Sequence, residues 1–299
     1  MHFPVSGIDC PLWLPPAVAF AVALVTAPAG ISGAFLLLPF QMSVLGFVTP
    51  AVTPTNLLYN VIATPGGVFR YAEERRMVWP MAWVIMAGTL PGVFVGAVIR
   101  IRYLPDPRYC KLFVAAVLLY LGVRLLAGAI RRRTGVRPAG GAVAKTTFAS
   151  ARKIEYVFQG EHYAFDPALL AMVALVVGII GGIYGVGGGA MIAPFAVAVL
   201  GLPAYTVAGA ALLGTFVTSI AGVAFFVVLG RTGLSMNAVT PDWTLGLLFG
   251  AGGLVGSYCG ARLQKRLPER WIRLFLGFLV TALALSYVVQ FFAFREGRG

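Results

Sequence analysis

Residues 13–48 and 167–202 are apolar runs of 36 residues each, and glycines interrupt both near the middle. About 20 apolar residues suffice to cross a bilayer as a helix, so each run is too long for one upright crossing. The second run carries "GIYGVGGGAMIAPF" from Gly182, with Gly185, Gly187, Gly188 and Gly189 in five positions and Pro194 soon after. Each glycine weakens a helix interior by roughly 1 kcal/mol relative to alanine. Peptide groups freed by such a break cannot face lipid, where each costs several kcal/mol. They must be packed in protein or line a hydrated cavity.

Further apolar stretches lie at 51–69, 78–99, 109–130, 204–229, 243–261 and 271–294. Only 11% of the 299 residues are charged and 59% are hydrophobic, against about 25% charged in a soluble domain. The fold class is therefore an all-α polytopic membrane protein. Barrel strands would alternate apolar with polar residues, whereas these segments are apolar all round. The net charge of +13 sits in short loops such as "RYAEERR", "RRRTGVR" and "ARLQKRLPERWIR". That pattern belongs to cytoplasmic loops facing anionic lipid in a multi-pass cell (inner) membrane protein, not to a nucleic-acid surface.

Cys10, Cys110 and Cys259 are far apart and lack CxxC spacing, and His2 and His162 stand in hydrophilic segments. Neither a disulfide framework nor a metal site is expected, and no cofactor motif is present. The "GVGGG" run has no lysine for a nucleotide-binding P-loop. Nucleophile–base pairs and buried acids are likewise missing from the pattern, so the reading is a non-enzyme. The N-terminal "MHFPVSGIDC" lacks a basic region, and a cleaved signal peptide is not expected.

The chain repeats itself. "GISGAFLLLPF" (30–40) aligns with "GVGGGAMIAPF" (185–195), and "VLGF" (44–47) then meets "VLGL" (199–202) without a gap. Gly88, Gly92 and Gly96 share their spacing with Gly252, Gly256 and Gly260, and "LPDPRYCKLF" (104–113) matches "LPERWIRLF" (267–275). Four matches in one order divide the chain into a first transmembrane repeat (1–130), a polar cytoplasmic connector (131–166) and a second repeat (167–299). Within the connector, "KIEYVFQGEHYAF" alternates around Gln159-Gly160 and predicts a small β-hairpin.

If each long run were one tilted crossing, the chain would span eight times and its basic residues would divide 13 to 9 between the two sides. If each run instead enters and turns back at its glycines, loops 70–76, 131–153 and 262–273 share one side. They then carry 15 basic residues against 7 for 100–111, Arg231 and the C-terminal tail. The stronger bias favours the second arrangement. Two homologous, inverted repeats are thus expected, each beginning with a glycine-broken helical hairpin followed by three transmembrane helices.

Paired breaks near the midplane of inverted repeats form substrate sites in transporters. Half-helix N-termini present N–H groups and about half a unit of positive charge to an anion. The candidate substrate-binding residues are Gly30, Ser32 and Gly33 in the first break and Gly185, Gly187, Gly188 and Gly189 in the second. Asn56 and Thr215 join them, and Pro39 and Pro194 serve as structural motif residues. Asn56 and Asn60 share one helical face with Thr53, and Thr215, Thr218 and Ser219 occupy the corresponding region of the second half. These polar groups either line a path or link helices. The evenly spaced Gly88/Gly92/Gly96 and Gly252/Gly256/Gly260 read as close-packing faces. Arg124 reads as a snorkelling residue, and Arg70 at the end of its helix reads the same way.

The stretch "GIYGVGGGAMIAPFAVAVLGLPAYTVAGAALLGT" (182–215) resembles the signature of the sulfite exporter TauE/SafE family of membrane permeases, and "GISGAFLLLPF" with "LGF" resembles its weaker first copy. By that resemblance Gly185, Gly187, Gly188, Gly189 and Pro194 match the second motif, and Gly30, Gly33 and Pro39 the first. Ser32 and Ala34 replace glycines of the second copy, Ala211 stands where the family often has Thr or Ser, and the connector is longer than in compact members. The resemblance implies a secondary transporter exporting, or in some members importing, small sulfur-containing or organic anions such as sulfite, sulfoacetate and related sulfonates. The partners expected are the small anionic substrate, the lipid bilayer, a coupling proton or sodium ion and, in a homodimer, a second copy of the chain. Nucleic acid is not among them.

Overall fold

The computed structural model describes residues 1–47, 49, 51–102, 115–116, 119–120, 122–123, 126–127, 143–184, 186–231 and 240–296. Gly185, Cys110, Arg124 and the 104–113 motif lie outside them. Proline and glycine set the limits of the first long run. Helix α1 (Leu14–Thr26) opens on Pro15 and Pro16, which suit a first turn whose N–H groups have no partner. A 3₁₀ turn, Ala27–Ala29, is closed by Gly30 at φ 71°, a left-handed conformation open to glycine at no steric cost. Helix α2 (Ala34–Ser43) resumes after Gly33, followed by α3 (Val52–Glu73) and α4 (Trp79–Arg102).

The second half follows the same order. α5 (Pro167–Tyr184) stops ahead of the glycines, a 3₁₀ turn spans Gly188–Met191, and α6 (Ile192–Ala198), α7 (Ala204–Arg231), α8 (Trp243–Gln264) and α9 (Glu269–Glu296) follow. Among the described residues, four helices (α4, α7, α8 and α9) contain segments long and apolar enough to cross a bilayer. All five tryptophans, Trp13, Trp79, Trp83, Trp243 and Trp271, are exposed and stand at or near helix starts, as suits the aromatic belts of a membrane protein.

The evenly spaced glycines are the contact faces between halves. A Cβ on Gly88, Gly92 or Gly96 of α4 would overlap the carbonyl oxygens of Ala171, Leu175 and Ile179 of α5 in turn. On α8, Gly252, Gly256 and Gly260 press in the same way on the carbonyls of Pro16, Phe20 and Leu24 of α1. Both numberings rise together, so α1 runs alongside α8, and α5 alongside α4, in the same direction. The first helix of each half therefore packs on a helix of the other half, through backbone contacts that only glycine permits.

Polar contacts sort the loops into two ends. At one, the Asp242 amide donates to Thr55 Oγ1 at 2.8 Å, and the Asp242 carboxylate accepts from Ser6 N and Oγ at 3.2 and 2.9 Å. At the other, Lys265 Nζ lies 3.3 Å from Glu74, Arg76 Nη1 donates to Gln264 Oε1 at 2.5 Å, and the Ala144 amide donates to the Arg75 carbonyl at 3.0 Å. Tyr205 Oη donates to the Leu267 carbonyl at 2.7 Å, which adds the start of α7 to this end. Helix α3 runs toward this end and α7 away from it. Eight full crossings would place 70–76 and 262–273 on opposite sides, a separation the Glu74–Lys265 pair does not allow.

The first long run turns back on itself. Tyr71 Oη and Gln264 Nε2 donate to the Ala27 and Pro28 carbonyls at 3.0 and 2.6 Å. By Ala34 the chain has retreated to Asn56, whose Nδ2 donates to the Ala34 carbonyl at 3.1 Å. From Tyr71 to Asn56 is about 22 Å of helix. In the second half, the Gly187 carbonyl and Gly188 Cα lie 2.7 and 3.0 Å from where a Cβ on Gly181 would stand, so that chain also folds back onto its own helix.

After a short antiparallel pair at the start of the chain, β1 (His2–Phe3) and β2 (Ile8–Asp9), the connector forms a three-stranded antiparallel sheet: β3 (Lys145–Ala149), β4 (Ile154–Phe158) and β5 (Glu161–Phe165), the two outer strands pairing with β4. The β4–β5 turn is Gln159-Gly160, both with positive φ (57° and 81°), as a two-residue type I′ hairpin requires. The third strand, "KTTFA", is short and mostly polar and gave no strand signal. Tyr156 Oη bonds Thr206 Oγ1 at 3.0 Å, and the Phe158 and Tyr205 rings lie 6.2 Å apart. The sheet is thereby docked on the start of α7.

Candidate functional site

The two breaks meet at one side chain. Asn60, fully buried on α3, accepts a hydrogen bond from Ser32 Oγ at Oδ1 and donates from Nδ2 to the Val186 carbonyl at 2.8 Å. Ser32 Oγ also accepts from the Ala34 amide at 3.1 Å, which caps the first turn of α2. One turn earlier, Asn56 holds the Ala34 carbonyl. The α3 face read as polar thus clasps the first break, and Asn60 extends that grip to the second.

The second break rests on α7. The Gly188 amide donates to Thr218 Oγ1 at 3.2 Å. Gly187 sits at φ 88°, and a Cβ there would lie 2.9 Å from Ser219 Oγ, 3.4 Å from Asn60 Nδ2 and 3.4 Å from Thr215 Cγ2. Ser219 is fully buried and its hydroxyl has no hydrogen-bond partner. Thr215 turns its methyl to Gly187 and spends its hydroxyl on the Ala211 carbonyl of its own helix, 3.0 Å away. Ser32, Asn60, Gly187, Gly188, Thr218 and Ser219 are thus brought together, every one of them uncharged. Such a group offers hydroxyl and N–H donors in a dry, low-dielectric setting, where hydrogen bonds to an anion are strong. The N-terminus of α2 adds partial positive charge.

The remaining glycines of the breaks serve packing. A Cβ on Gly189 would overlap Thr215 N, and one on Gly30 would stand 2.5 Å from Ala208 Cα. Both lay breakpoint backbone directly on α7. Gly33 lies against Tyr59 Oη. Pro39 lies inside α2 and Pro194 in the first turn of α6. Gly188, read as a bare amide, has its N–H occupied by Thr218. Two small crevices flank the bridge, each with a cavity volume of about 10 Å³, room for about one water. One is lined by Ser32, Gly33, Tyr59, Thr64 and Ser257, the other by Leu57, Val93, Gly181, Gly187 and Phe226.

Sequence reasoning placed Asn60 on the Asn56 face but chose Asn56 as ligand. Spacing alone cannot rank two asparagines one turn apart on the same face. It also took Arg76 for a loop charge and Arg70 for a snorkelling one. Arg76 is 4% exposed and binds Gln264 Oε1, the Ala261 carbonyl at 3.0 Å and Glu74 at 2.5 Å, with its guanidinium 4.9 Å from the Tyr71 ring centroid. Arg70 pairs with Glu73 and Glu74 at 2.6 and 2.5 Å. This network fastens the Ala27–Pro28 turn through Tyr71 and Gln264. Asp242, an acid at a span end, is buried, and it serves as N-cap of α8 by accepting from the Leu245 amide at 3.0 Å.

Compared with known proteins, the chain matches the family model described as Sulfite exporter TauE/SafE over residues 16–287. No curated protein and no solved structure matched it. The matched span takes in both breaks, the clasping face of α3 and the receiving face of α7, and the chain is a member of the TauE/SafE sulfite exporter family, membrane transporters of sulfite and related anions.

Proposed function

We propose that this protein is a secondary transporter that exports small oxyanions of sulfur, sulfite and organic sulfonates such as sulfoacetate, across the inner cell membrane. Two inverted repeats rock against each other around a midplane site. The opposed directions of α3 and α7 and the two doubled-back runs support that arrangement. The substrate displaces Thr218 from the Gly188 amide and takes further donors from Ser32, Ser219 and Asn60. The observation that carries the reading is Asn60 hydrogen-bonded to both breaks at once. A ligand that replaces those bonds acts on both halves together, which is what coupling binding to rocking requires.

The test is flux. In proteoliposomes holding the purified chain, counterflow of labelled sulfite or sulfoacetate supports the proposal, and the same assay under a proton or a sodium gradient identifies the coupling ion. Absence of flux for every anion in a panel of sulfite, sulfonates and carboxylates overturns it. Flux of carboxylates alone would leave a transporter of a different substrate class.

A further inference from the structure

We infer that the seam between α2 and α3 is the substrate's route between the central site and the N-terminal end of the bundle, with Gln41 as its selecting residue. The inference rests on the transport reading above. Gln41, Thr53 and Asn56 are 0%, 2% and 0% exposed. Both polar atoms of Gln41, the Thr53 hydroxyl and Asn56 Oδ1 have no hydrogen-bond partner. The free atom of Asn56 is the oxygen, because its nitrogen is committed to the Ala34 carbonyl. Gln41 lies two turns beyond Ala34 on the same face of α2. Thr53 lies one turn before Asn56 on α3. Because α2 returns antiparallel to the start of α3, these unmatched groups follow one seam, and Asn56 stands one turn from Asn60.

A buried amide with neither atom bonded has given up its hydration with nothing in return. The opposite end of the molecule differs. There Tyr71, Gln264 and both terminal nitrogens of Arg76 are bonded, and the first break is held shut against them. One end is latched, while the seam toward the other carries polar groups that acquire partners when a solute passes. Gln41 Nε2 donates to an oxyanion oxygen. Gln41 Oε1 accepts from the solute's hydration water or from a protonated oxyanion. The Thr53 hydroxyl does either. None of the three side chains titrates, so passage is an exchange of hydrogen bonds with no proton transferred to the protein.

Two measurements on the full chain test this. In a background with the three native cysteines replaced by serine, Thr53→Cys is exposed to a small, negatively charged maleimide during turnover, with sulfoacetate as protectant because sulfite itself adds to maleimides. The seam predicts labelling that sulfoacetate slows. Separately, Gln41→Leu and Gln41→Glu are predicted to cut sulfoacetate counterflow by about tenfold or more, with Gln41→Asn partly restoring it. Equilibrium binding of sulfoacetate to the detergent-solubilised variants stays at the wild-type level, since the central residues are untouched. Gln41→Leu removes an unmatched polar group, so a folding defect does not explain its loss. An unlabelled Thr53→Cys together with wild-type flux in Gln41→Leu overturns the route while leaving the transport reading intact. A wild-type protein that neither binds nor moves any anion overturns both.

Discussion

Exchanging Asn60 for alanine removes the shared partner of the Ser32 hydroxyl and the Val186 carbonyl. Stranding a buried polar group costs about 1–3 kcal/mol, so a fall in the detergent melting temperature is expected. Counterflow should fall more than about tenfold, because the side chain joins both halves. Retained flux in Asn60→Ala contradicts its central role. Gly187→Ala loads both strain and side-chain contact onto the site. Gly187 stands at φ 88° and ψ 142°, a region essentially confined to glycine, where alanine costs about 1–3 kcal/mol, and its new Cβ meets Ser219 and Asn60. Counterflow should be lost in Gly187→Ala and stay near wild type in Gly201→Ala (φ 68°), where nothing lies within 4 Å of a new Cβ. Gly188→Val is a poorer probe, since its side chain strikes Val93 and Thr89 as well. Among these residues the sequence disclosed the glycines by their crowding. Ser219 was legible only as one of several polar groups that line a path or link helices, and its lone buried hydroxyl acquires meaning only beside a break 32 residues earlier in the chain.

At the scale of helices, the glycine faces of α4 and α8 make a sharper demand than the breaks do. Gly92→Leu or Gly256→Leu drives a side chain into the backbone of Leu175 or Phe20, and overpacking of this kind costs about 1–3 kcal/mol. Stability and flux should therefore fall together in a melting series with parallel transport assays. Flux lost at unchanged melting would assign these glycines to the substrate path instead. These faces were legible from sequence because three glycines at four-residue intervals lie on one side of an intact helix. The hairpin at Gln159-Gly160 was legible for a related reason: alternation and turn chemistry agree locally. Strand β3 was not, because its pairing with β4 is a tertiary choice that a short polar stretch does not announce. Nor did the sequence show that the first and second breaks resume as helices of different length, α2 over Ala34–Ser43 and α6 over Ile192–Ala198.

For the whole molecule, the division of basic loops already pointed to 70–76 and 262–273 on one side, and the Glu74–Lys265 pair joins them there. Single cysteines at positions 75, 145 and 265 should label from the same side of the membrane with an impermeant reagent, and position 265 opposite to the others contradicts the doubled-back runs. Arg76, buried in the same latched end, is predicted to be worth far more than a surface charge. Breaking a buried pair by removing one partner costs about 3–5 kcal/mol, so Arg76→Ala should lower the melting temperature well beyond Arg262→Ala, an exposed neighbour. The central claim is that two folded-back runs meet at Asn60 to hold an anion, and an experimental density map of the sulfoacetate-loaded protein tests it most directly. The account predicts ligand density between Ser32, Asn60, Gly187 and Ser219. Unbroken helices through 28–36 and 183–191, or an anion seated only at the arginine cluster of residues 70–76, would contradict it.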